Sequence, residues 1–522
     1  MSSVAVIMHR SDDNLDRSST PSLTADAGSG GLSRMKRILA SLAAALAIAG
    51  PAAAAPDLST MTAGELTAFL RAFPKGGELH NHLGGGTPVE SLIAWAIEDG
   101  LCVDPVELAI RGSCAGEGFK PVATFVADEA QRSALIDSLT VRHPGFRDRS
   151  GHDQFFTSFS RRGQAPKRVG DALAETLDGL ARQNTFYAEL MITPQFVASR
   201  GLGARVGWRG DAAATRAALG DAGLEALVPA VIADTDAFES RARIVMKCET
   251  PAASPGCQVT ARYLFQAIRQ GPPEQTMAQL QLGVAVVAAD KRWVGLQLVA
   301  PEDSPDAVKY YDTHMAIVAE LTDQGRKTPV ALHAGELTLK LVAPDALRDH
   351  IAKAVRVAGA RRIGHGVDLP GEDGAEALAA EMATKGILIE VNPLSNQSIL
   401  EVGPQDHPYT WFRQRGVPVS FSTDDAGITR TDLSADYRQA VRMTATYNDL
   451  KTAARNAIAY SFLPGEGLWL DPNVYRKPVR VCAGQVGAET PRGACADLVK
   501  ASDKARAQWR HERLLKAFEA GR

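Results

Sequence analysis

Eight short runs of mostly apolar or β-branched residues recur along the chain, and stretches with helical spacing separate most of them. They are GGELHNH (76–82), TFYAELMIT (185–193), LEALVPAVIA (224–233), RWVGLQLVA (292–300), PVALHA (329–334), RRIGHG (361–366), GILIEVN (386–392) and PVSFST (418–423). Residues 169–183, 307–324, 344–358 and 374–385 carry the helical spacing between them. Strands that are apolar almost throughout are covered on both faces, as parallel strands between helices are. Eight of them alternating with helices predict an α/β fold, a (β/α)8 TIM barrel. An open doubly wound sheet is the alternative, but the first strand lacks the glycine fingerprint that such a sheet uses for dinucleotides.

Three segments exceed ordinary connection lengths, about 101–150, 240–262 and 468–500, and read as lobes inserted into one barrel domain covering 56–522. Ahead of the first strand, TAGELTAFLRAF has a Thr cap followed three residues later by Glu65, the pattern of a capping box. From Asp503 the tail reads as a terminal amphipathic helix.

Upstream of the barrel, MKRILASLAAALAIAGPAAAAPDLS places Lys36 and Arg37 before an apolar run and a small-residue cleavage site, the layout of a signal peptide over 35–55. The run from Ile38 to Ala49 is shorter than the roughly 20 residues that span a bilayer. Residues 1–34, rich in Ser, Asp and Gly, are expected to be disordered or to reflect a start placed too far upstream. Six cysteines fall as close pairs, Cys102 with Cys114, Cys248 with Cys257 and Cys482 with Cys495, and three local disulfides are the simplest pairing. Both features predict a periplasmic or secreted protein with no membrane contact after cleavage. A net charge of −3 gives no reason to expect nucleic acid as a partner.

The chemistry concentrates at strand ends. His80 and His82 lie two apart on the first strand, so both side chains point to one face. Only 11 histidines exist, and two more, His333 and His365, close predicted strands; Asp424 and Asp425 close the last. In a barrel these ends converge on one mouth. Three imidazoles and a carboxylate there suit Zn2+ with a position left for water. Alone, each residue is more simply a satisfied core histidine or a solvated turn, and it is their joint placement that argues for a site. His143, His152, His314, His350 and His407 fall in helices or loops and are expected to be structural.

In this order, ELHNHLGG, LHAGE, RIGHGVDL, EVNPLSNQ and STDDAG resemble the adenosine/AMP deaminase family of metal-dependent hydrolases, over about residues 74–462. LIDSLTVR, DQFFTSF, TDLSADY and KTAARNAIAYSFLPGEGLWL resemble its secreted growth-factor branch. The resemblance implies that His80, His82, His333 and Asp424 bind one Zn2+. It implies that Glu336 donates a proton to purine N1 and that His365 orients and helps deprotonate the attacking water. Asp425 would bond N7, and Ala300 and Gly335 would contact the substrate. Two departures concern the substrate: Gly84 stands where relatives place a ribose-binding acid, and GLQLVAPED replaces a GFDLVGHED-like pattern.

The expected activity is zinc-dependent deamination of adenosine, and of 2′-deoxyadenosine, to inosine and ammonia. A deaminase of another modified 6-aminopurine nucleoside and a catalytically silent nucleoside-binding protein are the rivals. The small-molecule purine nucleoside is the expected partner, with the protein a monomer or homodimer.

Overall fold

The computed structural model describes residues 55–141, 149–162 and 168–521. The signal-peptide and upstream segments (Ala55 apart) and His143 lie outside the described residues.

Eight parallel strands form the barrel: β1 Gly76–His82, β2 Thr185–Ile192, β3 Thr260–Ile268, β4 Trp293–Val299, β5 Val330–Ala334, β6 Arg362–His365, β7 Leu388–Val391 and β8 Val419–Phe421. Each pairs with the next in chain order. A parallel bridge between Asn81 and Asp424 joins the ends of β1 and β8. Strand interiors are almost wholly buried, as their composition predicts.

Seven of the eight expected strands form where the runs lie, and one is a correction. LEALVPAVIA is a 3-10 turn, Leu224–Leu227, leading into the helix Val228–Val245, and Pro229 sits in that helix's first turn. A short apolar run reads equally as strand or buried helix, and proline early in a helix costs nothing because its missing N–H has no partner there. The third barrel strand is instead TARYLFQAI. Residues 240–262 therefore hold the end of that helix, the turn closed by Cys248–Cys257, and the start of β3.

Residues 102–121 form a small antiparallel sheet, with strands Cys102–Asp104, Ala109–Arg111 and Lys120–Pro121 and the bridge Cys102–Cys114. With the helix Glu129–Ser138 it has its own apolar core around Val103, Ile110, Phe125 and Leu135. The third bridge, Cys482–Cys495, packs with Leu468 and Trp509. Thr62 and Glu65 complete the capping box of the helix Ala63–Ala72, and the tail forms the helix Asp503–Ala520. Among the described residues no helix is long and apolar enough to cross a membrane.

His314, in the helix Tyr311–Thr322, is fully buried with no partner on either ring nitrogen. Burial first, then Arg269, lowers it to about 3. Between that value and the unfolded 6.5 only the unfolded chain binds this proton, so its contribution to stability is full above pH 6.5 and is lost as pH falls. His314→Leu removes the loss. The variant's unfolding free energy relative to the parent is expected to rise by about 1.4 kcal/mol per pH unit below 6.5 in denaturant titrations. A difference independent of pH would contradict the buried neutral histidine.

Candidate active site

The strands end abruptly and aim their last side chains inward. Ala300 after β4, His365 at the end of β6 and Asp424 after β8 have φ of 85°, 67° and 62°, and Gly335 after β5 has 73°. The left-handed region costs a non-glycine residue of order 1–3 kcal/mol, so rigid surroundings must hold these turns. Arg269 supplies part of that hold, donating from Nε to the Ala300 carbonyl at 2.8 Å and from Nη1 to the His333 carbonyl at 3.0 Å. After His82 the chain makes a one-turn helix, Leu83–Gly86. A Cβ at Gly85 would lie 1.5 Å from Asp425 Oδ1, and one at Gly364 would lie 2.7 Å from His80 Cε1. Glycine at both positions makes room for site side chains.

His80, His82, His333 and Asp424 offer donor atoms that all lie within 4.8 Å of one another. His82 Nε2 is 3.2 Å from His333 Nε2 and 3.1 Å from Asp424 Oδ1; His80 Nε2 is 3.4 Å from the same oxygen. His80 Nε2 and Asp424 Oδ1 are buried with no hydrogen-bond partner. Three nitrogens and one carboxylate oxygen, converging and otherwise unsatisfied, fit a tetrahedral divalent ion such as Zn2+.

The outer nitrogens fix this orientation. His80 Nδ1 lies 2.7 Å from Glu390 Oε2, and His82 Nδ1 lies 2.7 Å from Gln266 Oε1. Both oxygens accept, so each ring carries its proton on Nδ1 and presents a lone pair from Nε2. Ser395 Oγ donates to Asp424 Oδ2 at 2.6 Å, leaving Oδ1 for the centre. Glu390 continues inward: its Oε1 lies 2.6 Å from Arg362 Nε, and Arg362 Nη1 lies 2.6 Å from Glu189 Oε2, all fully buried. Burial pushes Glu390 up, but Arg362 and His80 hold it below the ordinary carboxylate value. Burial keeps His333 well below 6.5 and neutral, as a ligand must be. Against burial, Asp425 and Asp424 raise His82 to about 9, so an entering metal displaces a proton.

Glu336 and His365 stand beside this set. Burial first, then the Asp424 charge, raises Glu336 well above the ordinary range, which favours a neutral carboxylic acid. Its N–H donates at 2.9 Å to Glu302, whose other oxygen lies 2.7 Å from His350 Nδ1. Burial raises Asp425 to about 7. His365 is buried and neutral, and a chain of hydrogen bonds selects its tautomer. The Tyr409 N–H donates to His407 Nδ1 at 3.1 Å, which leaves the His407 proton on Nε2 to bond Asn396 Oδ1 at 3.2 Å. The Asn396 amide group then faces His365 Nδ1 at 2.9 Å, so the His365 proton sits on Nε2.

All the expected site residues but Gly335 gather at one mouth. His82, His333, Glu336, Asp424, Asp425 and Ala300 line a single cavity of ≈ 560 Å³. Gly335, expected to contact the substrate, does not line it: a Cβ there would meet Asp368 and Ile351, and its left-handed φ shapes the turn between His333 and Glu336 instead. Sequence reasoning did not single out Glu390, Gln266, Ser395, Asn396, Arg269, Glu302 or Arg362. The signal for three of them was in EVNPLSNQ, which carries Glu390, Ser395 and Asn396. His350 and His407, expected to be structural, support Glu302 and Asn396.

This fold with this donor set is that of a metal-dependent hydrolase barrel. The model of the adenosine deaminase family matches residues 148–468. The adenosine deaminase of Mycobacterium sp. (strain KMS) is 26% identical over 420 residues, 78% of this chain and 95% of that one. The aminodeoxyfutalosine deaminase of Streptomyces coelicolor is 27% identical over 411 residues, 77% and 84% of the two chains. The N6-methyl-AMP deaminase of Danio rerio is 28% identical over 216 residues, 40% and 57%. The chain belongs to the adenosine deaminase family, and it is a deaminase of adenosine-like purines.

Glu390→Gln keeps the shape but removes the charge that faces His80 Nδ1 and Arg362. Zn2+ affinity is expected to fall about 10- to 100-fold in chelator competition. Unchanged affinity would show that His80 is held without Glu390.

Proposed function

We propose that the protein hydrolyses the 6-amino group of adenosine, and of 2′-deoxyadenosine, giving inosine and ammonia, with one Zn2+ held by His80, His82, His333 and Asp424. The observation that carries this is the gathering of that donor set with Glu336, His365 and Asp425 at one cavity in a chain of this family.

Held by these four residues, Zn2+ would supply a Lewis acid that makes water a nucleophile near neutral pH. Glu336, neutral through burial, donates its proton to N1 as the hydroxyl adds at C6, so charge arriving on the ring is neutralised where it develops. The C6–N bond then breaks as the amino group takes the proton given up by the attacking water and leaves as ammonia, while the C6 hydroxyl returns its own proton to Glu336 and C6 keeps the oxygen as a carbonyl. Asp425 donates to the N7 lone pair in its protonated form, which its raised value of about 7 favours. His365, with its proton on Nε2, orients the attacking water. It can take up a proton only at Nδ1, as the bond from Asn396 gives way. The buried surroundings of Glu336 and Asp425 strengthen each of these contacts relative to water.

Export is part of the proposal and is supported by the leader-like sequence and by three local disulfides, which persist in oxidising compartments. The phrases shared with the secreted growth-factor branch support that assignment within the family.

Glu336→Gln keeps the size and removes the acid. Turnover of adenosine is expected to fall about 10²- to 10⁴-fold while zinc content stays at that of the parent. Near-parental inosine formation, or loss of the metal, would contradict the role given to Glu336.

A further inference from the structure

A second cavity of ≈ 550 Å³ lies at the junction of β1 and β8 and shares no lining residue with the active-site cavity. Glu78 and Asn81 line it from β1, Thr423 from just after β8, and Thr176 from the helix Val169–Arg182. None of these side chains takes part in the deamination.

The polar atoms left over on its walls are all acceptors. Glu78 is fully buried; its Oε1 accepts the Thr423 N–H at 2.8 Å and the Thr423 hydroxyl as well, and its Oε2 has no partner. Because the Thr423 hydroxyl hydrogen is directed to Glu78, the same hydroxyl oxygen accepts from Asn81 Nδ2 at 3.1 Å. That bond fixes the amide and leaves Asn81 Oδ1 buried with no partner. A Cβ at Gly86, which lines the same cavity, would lie 3.3 Å from this oxygen, so glycine keeps the approach to it clear. Thr176 Oγ1 is likewise buried with no partner.

The chain's own buried cation does not answer these oxygens. Lys75, three residues before Glu78, donates to the carbonyls of Leu70, Phe73 and Gln183. A water molecule brings O–H groups to such acceptors but leaves the buried carboxylate charge uncompensated. A primary ammonium group brings a positive charge and three N–H donors. Residues of both signs, Arg71 and Arg182 with Glu175 and Asp432, complete the lining, so a single positive charge meets no cavity of its own sign.

We propose that this cavity binds a small primary ammonium ion, its N–H groups donating to Glu78 Oε2, Asn81 Oδ1 and Thr176 Oγ1. Two sources share that chemistry: the ammonium that deamination releases, and an organic amine whose carbon chain fills the remaining space. Glu78 and Asn81 also join β1 to the end of β8, through the Thr423 N–H and the bridge to Asp424. An occupant bound there favours the closed barrel, which is folded-state stabilisation by a ligand.

The test is thermal unfolding of the zinc-loaded full chain titrated with ammonium, methylammonium and butylammonium chlorides, and with potassium and tetramethylammonium chlorides at the same ionic strength. The expected result is a saturable rise in Tm, of about 2 °C at about ten times Kd, with the N–H cations only. Butylammonium binding more tightly than ammonium supports the site with an organic amine as its occupant, and the reverse order supports it with the released ammonium. No saturable rise with any of the three, or an equal rise with potassium or tetramethylammonium, overturns the proposal. Glu78→Gln removes the charge and is expected to weaken methylammonium binding at least about tenfold. Thr176→Val removes one acceptor on a helix outside the barrel strands, with the same direction expected, and decides the placement even if Glu78→Gln disturbs folding. Unchanged methylammonium affinity in Thr176→Val overturns it.

Discussion

Closure of the barrel between its first and last strands is the constraint on which the rest depends. The His82 N–H donates to the Asp424 carbonyl at 3.2 Å, and the Asp424 N–H donates to the His80 carbonyl at 3.1 Å. One turn deeper, the buried Glu78 carboxylate accepts the Thr423 N–H at 2.8 Å. Residues 80, 82 and 424 are more than 340 positions apart across the seam, yet these bonds fix their side chains within a few ångströms. Asp424 takes a left-handed φ to make both bonds, so the strain at this residue and the closure of the barrel are one feature.

Around that seam the protein buries charge in a chain rather than as isolated pairs. From the His80 ring, Glu390, Arg362 and Glu189 alternate in sign toward the barrel floor, and Tyr187 and the Phe462 N–H satisfy the last carboxylate at 2.7 and 2.6 Å. Each charge is costly to bury alone and tolerable with a partner on either side. The result is an imidazole held in one tautomer and one orientation. A separate chain, from the Tyr409 N–H through His407 and Asn396, does the same for His365. The site is thus set by residues whose own rotamers are locked by packing.

The fold was legible because parallel strands buried on both faces leave an apolar signature, and the cluster of histidines and acids was legible because such strands all end at one mouth. His80, His82, His333 and Asp424 could be grouped without a structure for that reason. The start of the helix Val228–Val245 was misread as a strand because its first turns are apolar, and a short apolar run reads equally as either. β3 was missed because Arg262 and Gln266 interrupt its apolar run and the disulfide turn lies directly before it. Gln266 proved to be the residue that orients His82. Glu390, Arg362 and Glu189 could not be read as a network, since nothing local in three separate strands shows that their side chains meet inside the barrel. The helix Gly151–Arg162 brings Phe155, Phe156 and Phe159 to the active-site cavity, and its role appears only when its ties to Gly85 and Asp303 are seen.

The central claim is that one divalent ion held by His80, His82, His333 and Asp424 is what the deamination depends on. The most direct measurement is metal content and ammonia release from adenosine on the same sample, before chelation, after it, and after adding back Zn2+. One zinc per chain, activity lost in proportion to its removal and restored in proportion to its return, is the predicted result. Undiminished deamination by metal-free protein would contradict the account.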